Sequence, residues 1–349
     1  MPTIAIIGAG PAGLAAALTL TQAGSSVTVF EKSRGYGGRA STRWHDLPTG
    51  ERAYIDHGAQ YIRDESAMAH RLLHELLPSG NLVDIARPIW TFNAQNTIAE
   101  GDRAQNSEPK WTYRDGLATF GKLLAMATNA EIRLNTRVGK IEKVAEQFAL
   151  TDDQGAPLGT FDQLLITIPS GQAAELLAAS PLAASATSVI EALSGAVYRR
   201  CITVALGYAR VLRERPYYAL INTDRAHPIS WLAFEHDKPG HVPAGNSVIL
   251  AQMAGAFSLA NWDTDKGQVI TQVEDQVSEL LGEDLRAPYW IEYHKWRYSL
   301  PDRTVSESAV NGLLPGVWFA GDWARGGRIH LAVQSGADVA AQVLQTVRS

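Results

Sequence analysis

The sequence predicts an α/β fold in which a Rossmann-like domain is interleaved with a discontinuous α+β domain whose sheet is mainly antiparallel. Three observations carry this expectation. A glycine-rich turn stands between an apolar strand and a helix at the start of the chain, a second glycine-rich loop follows the next strand, and a late strand ends in Gly-Asp.

The first element is Gly8-Ala9-Gly10-Pro11-Ala12-Gly13, preceded by the apolar run Ile4 to Ile7 and followed by the helix-like stretch Leu14 to Ala23. A buried strand that ends in a turn only glycine makes, and that leads into a helix with free amides and a positive pole, is a grip for a pyrophosphate. Gly8 permits the turn, Gly10 lets the backbone approach the phosphates, and Gly13 lets helix and strand pack closely. The next strand, Ser26 to Phe30, closes with Glu31, placed to accept hydrogen bonds from ribose hydroxyls.

The second loop, Lys32 to Thr42, carries Gly35, Gly37 and Gly38 with Arg34 and Arg39. A dehydrogenase that binds only a nicotinamide dinucleotide is expected to continue with a helix and another parallel strand. A second backbone-exposing loop with a cation clasps a diphosphate from the other side, as a long, permanently bound dinucleotide requires. The late strand is Gly316 to Asp322, and the helix-like segment Leu331 to Val347 follows it.

Between these ends the pattern alternates. Asp56 to Arg63 reads as a loop or extended segment, and Met68 to Leu77 has helical spacing with Pro78 and Gly80 as its stop. Trp90 and Phe92 mark a strand, Asn93 to Pro109 a hairpin or lid, and a helix runs through Ala127 with Asp115 as its N-cap. Strands follow at Ile132 to Leu134, Arg137 to Ala149 and Phe161 to Pro169, while Asp46 and Asp152-Asp153 read as turn residues. In the long insert after Gly171, the segments Arg200 to Tyr208, Ser230 to Phe234, Ser247 to Met253 and Tyr289 to Arg297 have the β-rich composition of an antiparallel sheet. The expected division is a nucleotide domain at 1–80, 115–170 and 302–349, and a substrate or cap domain at 81–114 and 171–301.

Composition bounds the function. The net charge of −5 gives no basic face for nucleic acid, and the longest apolar runs are strand-sized, so no membrane span is expected. The chain opens directly on a core strand without the features of a signal peptide, and a cytoplasmic location is the expectation. Cys201 is the only cysteine, and the nine histidines lack an HExxH pattern, so neither a disulfide nor a metal site is expected. No GxSxG or Cys-His pattern supports covalent hydrolysis.

Together the two glycine loops and the late Gly-Asp resemble the flavin-containing amine oxidase superfamily. Within it the chain is most similar to bacterial renalase-like FAD-dependent oxidoreductases. That similarity rests on Phe30 through Arg39, on Asp56-His57-Gly58-Ala59-Gln60-Tyr61, on His294-Lys295-Trp296-Arg297-Tyr298, and on Gly321-Asp322-Trp323 with Gly327-Arg328-Ile329. The chain departs at Ile329-His330-Leu331, where many relatives read Val-Glu-Gly, and this puts the substrate more in question than the cofactor.

The resemblance implies FAD contacts at Gly8, Gly10, Pro11, Ala12, Gly13, Glu31, Lys32, Gly38, Arg39, Gly58, Ala59, Gln60, Val138, Gly321, Asp322, Arg328 and Ile329. No cysteine lies near the late Gly-Asp, so the FAD is expected to be noncovalent, with a histidyl link left open. The flavin N5 would accept the hydride, and the helix from Ile329 would turn its positive pole toward N1 and O2. No side chain is singled out as catalytic. Candidate substrate residues are Tyr61, Arg63, Arg200, His294, Trp296, Tyr298 and Arg328, aromatic walls suiting a planar ring and cations an anionic one. Core filling by Trp296 and Tyr298 and a structural role for His294 stand beside that reading.

The implied activity is an oxidase that takes a hydride from a small planar substrate, a misreduced dihydronicotinamide isomer of NAD(P), and passes electrons to O2 to give H2O2. Amine oxidation or desaturation within the superfamily is one alternative. A redox-neutral flavin mutase or a non-catalytic flavin-binding protein is the alternative of another class.

Overall fold

A computed structural model describes residues 2–77 and 79–348, so the expected helix stop at Pro78 lies outside the described residues. Five parallel strands form the first sheet, in the order Val317–Phe319, Gln163–Ile166, Thr3–Ile7, Ser26–Phe30 and Glu131–Arg133. Thr3–Ile7 is central and apolar because both of its faces are covered. Ile4 and Ile6 point into a core with Leu14, Phe120 and Val333, whereas Ala5 and Ile7 point into another with Phe148, Leu177 and Phe319.

Helix Pro11–Gln22 packs against the C-terminal helix Ile329–Arg348. At Gly336 a Cβ would stand 2.0 Å from the Ala12 carbonyl oxygen, so only glycine permits this approach of the two backbones.

The second large sheet has seven strands, in the order Trp290–Arg303, Val197–Tyr208, Ser247–Met253, Ile229–Phe234, Ala219–Asn222, Ile89–Phe92 and Ile98–Ala99. Neighbours are antiparallel except Ala219–Asn222, which runs parallel to Ile89–Phe92. One face carries Ile202, Val204 and Ile249 against Val269, Val273 and Val277 of helix Lys266–Leu281. Asp265 caps that helix by accepting from the amides of Gly267 and Gln268 at 2.9 and 3.1 Å. The other face carries Ala205, Ala219, Ala233 and Leu250 toward Ala53 and Ile55.

Several local expectations need correction. The helix Ala118–Ala127 is not capped by Asp115, whose carboxylate instead accepts from Asn81 Nδ2 at 3.1 Å. Its opening amides are satisfied from far upstream: Leu117 N donates to Asp56 Oδ1 at 2.8 Å and Ala118 N to Thr42 Oγ1 at 2.9 Å. The helical spacing near Met68 gives Ala67–Arg71, which widens into an i→i+5 turn at Leu72–Leu76, where Leu77 N reaches Leu72 O at 3.0 Å. Asp46 is the end of a strand rather than a turn, because Arg43–Asp46 and Arg52–Ile55 form a hairpin too short to be read from its alternation. The polar stretch after Asn93 contains the strand Ile98–Ala99 and the short helix Arg103–Ser107. The late strand of the insert extends to Arg303 with a register shift against its neighbour between Arg199 and Cys201. Among the described residues, no helix is long and apolar enough to cross a membrane.

Candidate functional site

The nucleotide end is built by the first turn of the parallel sheet. Gly8 adopts φ +112 and sends its amide to Phe30 O at 2.8 Å, which closes the turn between neighbouring strands. A Cβ on Gly13 would lie 2.0 Å from Gly8 O, so helix and strand meet there as the motif demands. A Cβ on Gly10 would meet nothing within 4 Å, and the helix beginning at Pro11 has no side-chain cap on its first amides. Gly38, at φ +54, faces Gly10 across the gap, where a Cβ on Gly38 would stand 3.5 Å from the Gly10 Cα. Open space, uncapped amides and two glycine-rich loops are what a pyrophosphate needs, so these residues fit one.

Glu31 closes the cradle. Its Oε2 accepts from the Ala9 amide and its Oε1 from the Ser33 amide, both at 2.8 Å. Each oxygen keeps a further lone pair, so the carboxylate both fixes the two loops and remains able to take a ribose hydroxyl. Lys32 is exposed and donates to Gln172 Oε1 at 3.3 Å. Val138 is buried at the start of strand Val138–Val144.

Arg39 and Asp322, 283 residues apart, form a bidentate pair with both N–O distances 2.7 Å. Tyr198 donates to Asp322 Oδ1 at 3.0 Å, and Arg39 Nη1 also donates to Ser299 O at 3.1 Å. Burial pushes the Tyr198 hydroxyl well up, and the Asp322 charge pushes it further, so it stays a donor. Gly321 donates its amide to Ser335 Oγ at 2.8 Å, which ties the late Gly-Asp to the C-terminal helix that Ile329 opens.

An aromatic wall is formed by Trp296 and His294 of the cap sheet and His57 of the 56–60 loop, whose Gly58 packs against the Arg39 backbone. Trp296 stacks on His57 at 5.2 Å between centroids and meets His294 edge-on at 4.2 Å. Trp296 Nε1 donates to His57 O at 3.0 Å, and a Cβ on Gly58 would stand 3.3 Å from its ring. His57 Nδ1 is buried without a partner. A small cavity of about 10 Å³ lies against His57, His294, Thr203, Glu292 and Arg43. Arg43 reaches His294 Nδ1 at 3.1 Å and Glu292 at 3.0 Å. Burial pushes His57 down to about 3, helped by His294 and Arg43; burial and Arg43 push His294 down to about 4. Both rings are neutral near pH 7.

The loop 56–60, which carries His57, is locked by charge. Lys238 Nζ lies 3.2 Å from Asp56 and 2.9 Å from Glu235, and also donates to Gln60 Oε1 at 3.3 Å. His241 contacts Glu235 through Nδ1 and Tyr113 O through Nε2, both at 3.0 Å. Gln60 donates in turn to Asp56 O, and Gln252 donates to Gly58 O at 2.6 Å. The ammonium of Lys238 supplies the positive charge among these carboxylates.

Other candidates lie apart from the wall. Arg200 sits 4.6 Å over the Trp262 ring, which Lys295 also approaches at 5.5 Å; Lys295 alternates with His294 and Trp296, so this is the opposite face of the sheet. Tyr61 tilts toward Trp231 at 6.4 Å, and Arg63 lies over Tyr61 and donates to Gln105 O at 3.0 Å. Tyr298 meets Tyr198 edge-on at 5.6 Å and donates to Glu175 at 3.1 Å. Arg328 is exposed, with Nη1 3.3 Å from Gly327 O. The sequence reading did not single out Tyr198, His57, Arg43 or Lys238 as site residues. Lys238 carried no signal beyond an acid three positions earlier, which reads as a surface pair.

A model of the flavin containing amine oxidoreductase family matches residues 91–344, and a model of an NAD(P)-binding Rossmann-like domain matches residues 6–76. A protein designated protoporphyrinogen oxidase from Exiguobacterium has a TM-score of 0.78 at 15% identity, with 99% of each chain covered. Cyclohexylamine oxidase from Brevibacterium oxydans has a TM-score of 0.76 at 15% identity, with 100% of each chain covered. A fatty acid isomerase from P. acnes gives 0.71 at 14% identity over 98% of each chain. At such identities the likeness is one of fold. Among curated proteins, the small chain of an NADPH glutamate synthase from Mycobacterium tuberculosis is 61% identical over 36 residues, which span 10% of this chain and only 7% of that relative.

Proposed function

The chain belongs to the flavin containing amine oxidoreductase family and is an FAD-dependent oxidoreductase, and we propose that it is an oxidase acting on misreduced dihydronicotinamide isomers of NAD(P). The substrate loses a hydride and becomes the pyridinium form, and O2 takes up that hydride and one proton to give H2O2. FAD, when bound, supplies the hydride-accepting N5 of its isoalloxazine.

The observation that carries this reading is the wall of Trp296, His57 and His294, whose imidazoles are pushed down to about 3 and 4 by burial and nearby positive charge. Neither ring is an imidazolium acid at neutral pH, and neither has the basicity to take up a proton there. Such a wall suits a planar substrate whose own ring nitrogen drives hydride loss, whereas an alkylammonium must first shed a proton. Gly10, Gly38 and the uncapped amides after Pro11 would hold the diphosphate; Arg39, Asp322 and Tyr198 would hold the polar chain beside it. Lys238 keeps Gln60 and the 56–60 loop in place under the wall.

The test is anaerobic mixing of flavin-loaded protein with dihydronicotinamide isomers and, separately, with a panel of amines. Bleaching of the oxidised flavin band by the isomers alone, with peroxide formed on admitting air, is expected. Bleaching by amines alone overturns the substrate, and no bleaching by either overturns the oxidase reading.

A further inference from the structure

The segment that leads into the widened helical turn holds a cluster that the flavin site does not use. Ile62 and Trp111 exchange backbone hydrogen bonds of 2.8 and 2.9 Å, which pins the chain two residues before Asp64. His70 and His74 are four residues apart where helix Ala67–Arg71 passes into the turn Leu72–Leu76. Both imidazoles address one carboxylate oxygen, with His74 Nε2 at 3.0 Å and His70 Nδ1 at 3.7 Å from Asp64 Oδ2. The two rings lie 4.9 Å apart, and His74 is braced edge-on by Trp111 at 5.1 Å.

We propose that Asp64, His70 and His74 form a binding site for a divalent transition-metal ion of the zinc class, two imidazole nitrogens and one carboxylate oxygen being its protein ligands. The potential ligand atoms all lie within 4.8 Å of one another. Zinc bonds of about 2.0–2.1 Å to such atoms place tetrahedral ligands about 3.4 Å apart. The separations of 3.0 and 3.7 Å from the carboxylate oxygen bracket that value, so the ion enters with small side-chain movement. Two imidazoles select zinc and its transition-metal neighbours over magnesium and calcium, which take oxygen ligands. Side-chain exposures of 26% for Asp64, 58% for His70 and 29% for His74 leave a path from solvent and room for water in the remaining position. Glu65 is already engaged with Arg63 at 3.4 Å and His330 at 3.6 Å, so it is not counted among the ligands.

The ion would cross-link the loop before this helix to its widened turn. Ser66 Oγ donates to His330 O at 2.8 Å, and Met68 N donates to Gln334 Oε1 at 2.9 Å. The cross-link therefore stiffens the support of the first turns of the C-terminal helix, and its contribution is to stability.

Isothermal titration of chelator-treated, flavin-loaded protein with zinc chloride tests the site, beside the variants Asp64→Asn, His70→Asn and His74→Asn. A single zinc per chain is expected, with affinity falling about 100-fold or more in each variant. Saturating zinc should raise the unfolding temperature of the parent protein and not of the variants. Unchanged flavin content serves as the folding control, since these side chains are partly or largely exposed. No zinc binding by the parent, or affinity indifferent to the histidine changes, overturns the site. Indifference to Asp64→Asn alone overturns the three-ligand arrangement. The readout is ion binding and does not depend on the oxidase reading.

Discussion

The Arg39–Asp322 pair and the Asp56–Glu235–Lys238–His241 cluster both join segments far apart in the chain, yet they differ in their access to water. The side chains of the pair are 28% and 11% exposed, whereas all four side chains of the cluster are fully buried. At the pair, Tyr198 and a backbone carbonyl complete an arrangement that a ligand's hydroxyl or phosphate can still join. In the cluster every charge faces another. Burial opposes ionisation of both Glu235 and Lys238, but Lys238 holds the Glu235 carboxyl low and the two carboxylates hold the Lys238 ammonium high. His241 meets the Glu235 carboxylate with one nitrogen and the Tyr113 carbonyl with the other, so both sides of its ring are held. The first centre keeps charge available for binding; the second uses it to fix a loop.

The contrast is tested most severely at Lys238. Lys238→Met leaves two carboxylates facing each other in a dry site and is expected to cost about 3–5 kcal/mol of stability. Urea unfolding of the flavin-loaded protein measures it, and a loss below about 1 kcal/mol would mean that the cluster is open to water. At Asp322 the expectation reverses. Asp322→Asn keeps the shape and removes the charge, so FAD affinity should fall by about 1.5–3 kcal/mol, while the apoprotein should lose less stability than it does in Lys238→Met, because Arg39 keeps contact with water. Flavin titration of the apoprotein and its urea midpoint separate the two effects; a large loss of apoprotein stability would make this pair structural as well.

The third effect concerns pH. His57 and His294 have folded values of about 3 and 4, below the ordinary 6.5, so on acidification the unfolded chain takes up protons first. Their contribution is complete above about pH 6.5 and is lost as pH falls toward 4 and then 3. His57→Asn should therefore flatten the decline of the urea midpoint between about pH 6.5 and 4 relative to the parent. Equal slopes would show that water reaches the wall.

What could be read from the sequence follows the range of the interactions. The turn at Gly8, Gly10 and Gly13 is a local object, and its strand, helix and acid follow within the same short stretch, so its geometry was legible. The family resemblance implied that Arg39 and Asp322 serve a common ligand, though nothing local announces that they touch each other. Asp115 has the residue type and position of a cap, yet Asp56 and Thr42 satisfy that helix from upstream, because tertiary acceptors reach its amides first. Lys238 and His241 look like ordinary surface residues of a short polar segment, and only the meeting of the cap sheet with the 56–60 loop buries them. His70 and His74 stand four residues apart but were not singled out in the sequence, and the bridge between Ile62 and Trp111 pins the chain that brings Asp64 to them.

The contact between Gly336 and Ala12 also sets a timetable. Helix Pro11–Gln22 is covered by the much later helix Ile329–Arg348, and Arg39 meets its carboxylate 283 residues later. At about 5–20 residues per second, the ribosome needs about 14–57 s to cover that interval. During it the glycine turn exists without its helical cover or Asp322. Closure of the nucleotide domain must wait for that interval to be translated, and the nascent apolar face of that first helix is a place where a chaperone has time to act.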